Sequence, residues 1–280
     1  MPDPLANLPS ALRSQARLLR LPGDIPALIA HPDWSTPAPV MLWFHGRTVS
    51  KELDPGRYLR WIRKGIAAVA IDLPGHGERS DAGPAARLQS PAGTIDLLTQ
   101  AVAEIDSITD ALAIIDNADA LDLSRLGIGG MSAGGMATLR RLCDPHPFRC
   151  AAVEATTGWL CELYHPTLPG NPGRPWPVDH PRDRITPVDP MDHLDTFEPI
   201  PLLALHSEAD QMVPWVGQHA FLDRLADHYR ARSADPDLIR IHTWPETGAQ
   251  AEHVGFGKFA ADAKNLQADF LAEHLLAPAE

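Results

Sequence analysis

From residue 40 onward, short and largely apolar runs alternate with stretches of helical periodicity, and that alternation narrows the possible folds more than any other feature of the chain. The runs are 40–44, 66–71, 125–130, 150–154, 202–206 and 238–244. Most lack the in-out polarity of a strand with one wet face, so they fit strands covered on both sides. Between them lie 57–64, 133–142, 215–230 and 256–276, and a longer stretch, 94–117, where Ile95, Leu98, Val102, Ile105, Ile108, Leu112 and Ile115 recur at three- and four-residue spacing. Parallel strands need crossovers, and helices supply them. Upstream, residues 16–21 and 25–30 flank Pro22-Gly23-Asp24, a turn that predicts an antiparallel hairpin. The expectation is an α/β fold, a mostly parallel, doubly wound sheet of eight strands that opens with an antiparallel hairpin.

A continuous sheet accommodates 280 residues, so one domain spanning 1–280 is expected. Residues 156–197 break the pattern: ten of the 28 prolines fall between Pro166 and Pro201, with Trp159, Tyr164 and Trp176 close by. Long irregular stretches inside compact domains are usually binding loops or lids, which predicts a cap over the C-terminal edge of the sheet rather than a core element.

The formal charge of −12 argues against nucleic acid and against anionic lipid as partners. No stretch approaches the roughly 18 apolar residues of a spanning helix, so no membrane anchor is expected. Residues 1–10 carry Pro and Asp where a secretory leader would be basic and then apolar, which points to a cytoplasmic protein. Cys143, Cys150 and Cys161 are odd in number and form no CxxC pair. They read as buried thiols rather than a disulfide framework or a zinc site, and no metal or cofactor is expected. Monomer and homodimer both remain open.

Gly130-Met131-Ser132-Ala133-Gly134 matches Gly-x-Ser-x-Gly between an expected strand and an expected helix. In that context the serine stands on a sharp turn at the sheet edge, with its hydroxyl exposed as a nucleophile. Its partners should follow in chain order, acid and then base, each on a loop after a strand. His253 lies between the last strand and the last helix, whereas His242 falls inside a strand and His274 on the terminal helix. Asp210 follows the run 202–206 and precedes Val213-Pro214, with Glu208 and Glu154 as rival acids. The acid would hold the imidazole tautomer while the base takes the serine proton. His45-Gly46-Arg47-Thr48 follows the run 40–44, where the second oxyanion donor is expected; Gly46 would let the loop double back. The donors would be the backbone amides of Arg47 and Ala133. The Arg47 side chain itself is expected to be solvated or salt-bridged, with an anionic substrate as the alternative partner.

Residues 45–51, Asp72-Leu73-Pro74-Gly75-His76-Gly77-Glu78-Arg79, the serine elbow and residues 206–214 resemble the dienelactone hydrolase and prolyl-oligopeptidase-like branch of the α/β-hydrolase superfamily. The likeness runs over nearly the whole length. Dienelactone hydrolases proper use cysteine where this chain has Ser132, and the large oligopeptidases carry an N-terminal propeller for which 280 residues leave no room. The resemblance therefore implies a small bacterial serine carboxylesterase acting on a small-molecule ester. A peptidase or thioesterase using the same residues, or a hydrolase-fold binding protein without activity, are the competing readings. Trp159, Tyr164, Trp176, Met212 and Trp215 are the candidate apolar walls of the substrate site, and His206 is given a structural role.

Overall fold

Eight strands form one sheet in the order β1-β2-β4-β3-β5-β6-β7-β8 among the residues that the computed structural model describes, which are 5–6, 8–80 and 83–277. Residues 1–4 and 7, on which the reading of the leader partly rests, lie outside the described residues. In chain order the elements are α1 (Ser10–Arg13), β1 (Ala16–Leu21), β2 (Ile25–Ala30), β3 (Ala38–Phe44), α2 (Pro55–Arg63), β4 (Ala67–Ile71), α3 (Thr94–Leu112) and β5 (Leu121–Met131). They continue with α4 (Ala133–Arg141), β6 (Phe148–Glu154), α5 (Leu160–Tyr164), α6 (Arg182–Ile185), β7 (Leu202–Ser207), α7 (Trp215–Ala231), β8 (Ile239–Trp244) and α8 (Ala260–Leu275). Strands β1 and β2 are antiparallel to each other, β2 is antiparallel to β4, and every later pairing is parallel. This is the expected α/β-hydrolase architecture.

Period-two alternation within each covered strand feeds two separate cores. Val40, Leu42 and Phe44 of β3 join α3, α4 and α7 on one face, while Met41 and Trp43 join α2 and α8 on the other. Uninterrupted apolar runs are what such two-sided burial requires. Several boundaries differ from the expectation by a few residues, and for two of them the cause is plain. Helix α3 ends at Leu112 rather than 117: Ile114 is 77% exposed and Asn117 has a left-handed backbone (φ +65°), so Ile115 packs on the core from a turn. Strand β5 begins at Leu121 because Leu121 and Asp122 already pair with Ala38 and Pro39 before a register shift at Pro39/Val40.

The segment 156–197 also departs from the expectation of a piece outside the core. Leu160, Leu163, Tyr164, Ile185, Val188 and Phe197 are buried in the α3/α4/α7 core, interleaved with the exposed prolines that dominate its composition. The three cysteines are free and buried, as expected, and burial pushes the Cys143 thiol up to about 12.

A buried ion pair ties the other face together. Arg57 of α2 donates to both carboxylate oxygens of Glu154 at the end of β6 (2.6 and 2.7 Å), and Gln267 of α8 bonds to both partners. The guanidinium also lies 4.3 Å from the centre of the Trp43 ring. Breaking such a pair from one side strands the other charge in a low-dielectric interior. Arg57→Met is expected to lower unfolding stability by about 3–5 kcal/mol in urea titrations, and Arg57→Met/Glu154→Leu to recover most of it. Equal losses in the single and double variants would contradict this.

Candidate active site

Ser132 sits between β5 and α4 with φ +51° and ψ −117°, a region that side-chain-bearing residues rarely adopt. Backbone strain of this kind is of order 1–3 kcal/mol and persists only where neighbours overdetermine it. They do so here. The Ser132 amide donates to the Glu154 carbonyl (2.9 Å), and its carbonyl accepts from the Met136 amide (2.9 Å) and the Thr156 hydroxyl (2.8 Å). The glycines of the motif are required by close approach: a Cβ on Gly130 would stand 2.4 Å from the Gly134 backbone, and one on Gly134 would stand 2.2 Å from the Phe44 carbonyl oxygen.

The other two predicted residues arrive on loops after β7 and β8. His253 Nε2 lies 3.0 Å from Ser132 Oγ, and its Nδ1 lies 2.8 Å from Asp210 Oδ2. Asp210 is buried, and its Oδ1 accepts from the Met212 and Val213 amides at 2.8 Å each. His206, held below its ordinary value by burial, donates from Nε2 to the Val213 carbonyl (2.9 Å) and approaches Asp210 Oδ2 at 3.5 Å. It thus braces the turn that presents Asp210. The rival acids are engaged elsewhere: Glu208 is exposed and accepts from the Thr243 hydroxyl, while Glu154 is held by Arg57.

Glu252 is a site residue that sequence reasoning missed. Its carboxylate accepts from Ser207 Oγ (2.8 Å), the Thr247 amide (2.6 Å) and hydroxyl (2.7 Å), and the Gly248 amide (2.7 Å). These bonds hold its carboxyl at about 2 and clamp the His253 loop to the end of β7, where Ala251 and Glu252 both take positive φ. Its only sequence signal was adjacency to His253.

On the opposite wall, the Arg47 and Ala133 amides make no hydrogen bond among the described residues, and both residues line the cavity that holds Ser132. His45 controls the first of them. Its Nε2 accepts the Leu73 amide (3.1 Å), so Nδ1 carries the proton and donates to the Gly46 carbonyl (2.6 Å); burial pushes the ring down to about 4 and keeps it neutral. In a planar trans peptide the Gly46 carbonyl and the Arg47 amide point opposite ways, so fixing one aims the other. Gly46 is not needed for backbone freedom, contrary to expectation. The loop turns at Thr48 (φ +66°), and a Cβ on Gly46 would touch the Ser132 side chain at 3.5 Å.

The cavity measures about 270 Å³. Tyr164, Trp176 and Met212 line it, as expected, but Trp159 and Trp215 do not. Trp159 packs on the core, and Trp215 sits between the His206 and His219 rings, 5.2 Å from each, facing a different groove. The Arg47 side chain makes no salt bridge among the described residues and is only partly open to solvent: it is half-buried, donates to the Gln89 carbonyl (3.2 Å) and lies 5.0 Å from the Trp176 ring centre. Cys161, Asp189 and Asp192 bring three potential metal-ligand atoms within 4.8 Å of one another. Asp189 is already occupied as a cap, accepting the Leu160 and Cys161 amides at 2.9 and 2.7 Å, and burial keeps the Cys161 thiol protonated at about 12.

Burial also sets a pH dependence. His31, His45, His76 and His206 are all held below their ordinary values, so the unfolded chain binds protons that the folded one refuses. Their contribution is complete above about 6.5 and is lost as pH falls, for His45 through about 4. Asp189, raised to about 6 by burial, works the opposite way but is one group against these four and the similarly lowered His146, His180 and His274. Thermal unfolding should therefore occur at lower temperature at pH 5 than at pH 7.5; an unchanged or higher Tm at pH 5 would contradict the balance.

Among the described residues no helix is long and apolar enough to cross a membrane. Three comparisons place the chain. It is 27% identical to Esterase YjfP of Escherichia coli over 197 residues, covering 68% of this chain and 77% of that one. Its backbone matches TT1662 of Thermus thermophilus with a TM-score of 0.65 at 21% identity, covering 94% and 98% of the two chains. It also matches the acylaminoacyl peptidase of Pyrococcus horikoshii with a TM-score of 0.70 at 17% identity, over 95% of this chain but 42% of the peptidase. The prolyl oligopeptidase family model matches residues 58–277, a span that contains Ser132, Asp210 and His253. With that span covering most of the sheet, the elbow and both partner loops, the chain belongs to the prolyl oligopeptidase family of serine hydrolases.

Proposed function

We propose that the protein hydrolyses carboxylic esters of small acids through an acyl-enzyme on Ser132. His253 removes the hydroxyl proton as Ser132 attacks the ester carbonyl, and Asp210 holds Nδ1–H and stabilises the imidazolium that forms. The Arg47 and Ala133 amides receive the oxygen that becomes negative. His253 then protonates the departing alcohol, and the same ring activates the water that releases the acid. Every proton passes through His253, so no step calls on a metal or cofactor.

The observation that carries this reading is the line of two hydrogen bonds, 3.0 and 2.8 Å, from Ser132 through His253 to Asp210. The cavity lies just below the usual range of small-ligand sites, about 300–1,000 Å³, which favours short acyl chains. Segment 156–197 acts as its cap, contributing Leu163, Tyr164 and Trp176 within a single domain. The likeness to an esterase supports the ester over the amide.

His45 acts on this chemistry at one remove. His45→Ala frees the Gly46–Arg47 peptide to rotate, and kcat should fall by about 10–100-fold with little change in KM, a fraction of the loss from deleting an oxyanion donor outright. A change below twofold would remove His45 from the account.

The family also contains peptidases, and the peptidase reading rests on that and on the Pyrococcus horikoshii match. Turnover of p-nitrophenyl esters of graded chain length, set against acyl-CoA thioesters and blocked dipeptides, decides between them. Short-chain esters are expected to lead by kcat/KM; negligible ester turnover beside efficient dipeptide cleavage would overturn the proposal.

A further inference from the structure

We infer that the substrates of this cavity carry an anionic group, a carboxylate in the simplest case, and that the Arg47 guanidinium recognises it. The inference rests on the hydrolase reading above and narrows its substrate class.

Arg47 is the one permanently charged side chain lining the cavity among the described residues, and no Asp or Glu lines it. That is notable in a chain with 36 acidic residues against 24 basic ones. Its guanidinium presents a planar fork of N–H donors, of which the Gln89 carbonyl takes one at 3.2 Å. No carboxylate among the described residues stands within 4.0 Å of it. Half-buried Arg174 also lacks a carboxylate and is held by the Tyr164 carbonyl (2.7 Å) and ring, but it lines no part of this cavity, and three other arginines withdrawn from water do carry counter-charges. Arg79 donates to both oxygens of Glu104 at 2.7 and 2.6 Å, Arg57 to both of Glu154, and Arg141 to Asp106. Taking a cation out of water without a counter-charge is unfavourable, and the fork geometry fits a carboxylate best.

The surroundings are prepared in the same sense. The guanidinium carbon lies over the Trp176 ring, 5.0 Å from its centre, where the ring's negative face attracts a cation. Trp176 Nε1, on a side chain that lines the same cavity, is buried without a hydrogen-bond partner, while the Tyr164 hydroxyl on the same wall interacts with the Thr94 side chain. Tyr164 is only 3% exposed, and Arg47 is among the charges acting on its hydroxyl. A carboxylate on the substrate would satisfy the free donors of the fork.

The anion could sit on the acid or on the alcohol half of the ester, and two matched pairs separate these cases. One pair is p-nitrophenyl hydrogen glutarate against p-nitrophenyl glutaramate; the other is 4-acetoxybenzoate against 4-acetoxybenzamide. The readout is the ratio of kcat/KM, anionic over neutral, within each protein, so any effect of a substitution on the residue 47 backbone cancels. In the wild type the ratio should exceed about tenfold for one pair, fall to near one in Arg47→Met, and recover in part in Arg47→Lys. Ratios at or below one for both pairs in the wild type would overturn the inference. So would a ratio that survives Arg47→Met, which would leave Arg47 as a prop for Trp176. Calorimetric titration with glutarate, wild type against Arg47→Met, decides the point even if no ester is cleaved. Weaker binding to the variant supports the inference, and equal or absent binding to both refutes it. Failure of a fluorophosphonate to label Ser132 would instead condemn the hydrolase reading.

Discussion

Ser132→Ala is expected to lower kcat for a short-chain p-nitrophenyl ester by about a millionfold while leaving the circular dichroism and Tm close to those of the wild type. The fold should survive because what holds the elbow is backbone: the Ser132 amide and carbonyl make the bonds to Glu154, Met136 and Thr156, and alanine keeps all of them. The hydroxyl itself is bonded to His253 Nε2. His253→Ala should be about as damaging, and the double variant no worse than either alone, because a nucleophile and its base act as one unit. Losses that multiply would mean that the two side chains work independently.

Asp210→Asn should reduce kcat by about 10,000-fold with KM little changed. The acid uses one oxygen for the Met212 and Val213 amides and the other for His253 Nδ1. Asparagine can keep its oxygen on the two amides only by turning its NH2 toward Nδ1. The ring must then place its proton on Nε2, where it faces the Ser132 hydroxyl and can accept nothing. Rescue by Glu208 is not expected, since that side chain points away to Thr243 in solvent. A loss smaller than tenfold, or a pH–rate profile unchanged from the wild type, would show that Asp210 does not set the tautomer.

Much of the fold was legible because it depends on local periodicity. Runs such as 40–44 are apolar on consecutive residues because alternate side chains enter different cores, and the helices between them carry the spacing of their buried faces. The elbow was legible for a related reason: Gly130 and Gly134 are imposed by backbone contacts within a few residues of Ser132 or with the neighbouring strand. Asp210 and His253 followed from chain order and strand ends.

What escaped the sequence depends on contacts distant along the chain or on proton position. Arg57 and Glu154 are 97 residues apart, and nothing near Glu154 says that its carboxylate is spent on an arginine rather than free to serve as the acid. The tautomer of His45 is decided by the Leu73 amide, 28 residues away, and no motif records it. Proline content in 156–197 signalled irregular backbone correctly, but composition cannot tell which apolar residues of an irregular segment turn inward. Composition therefore counts Trp159 and Trp215 among the cavity walls, although one faces the core and the other lies between two histidine rings. Residue type marked them as large and apolar, and only the packing assigns the face.

The most direct test of the central claim, that Ser132 is activated by His253, is the rate of covalent labelling by a fluorophosphonate, with the site read by peptide mass spectrometry in the wild type and in His253→Ala. The account predicts a single adduct on the peptide containing Ser132 in the wild type, with labelling slowed by several orders of magnitude in the variant. An adduct on another residue, or equally fast labelling of Ser132 without the imidazole, would contradict it.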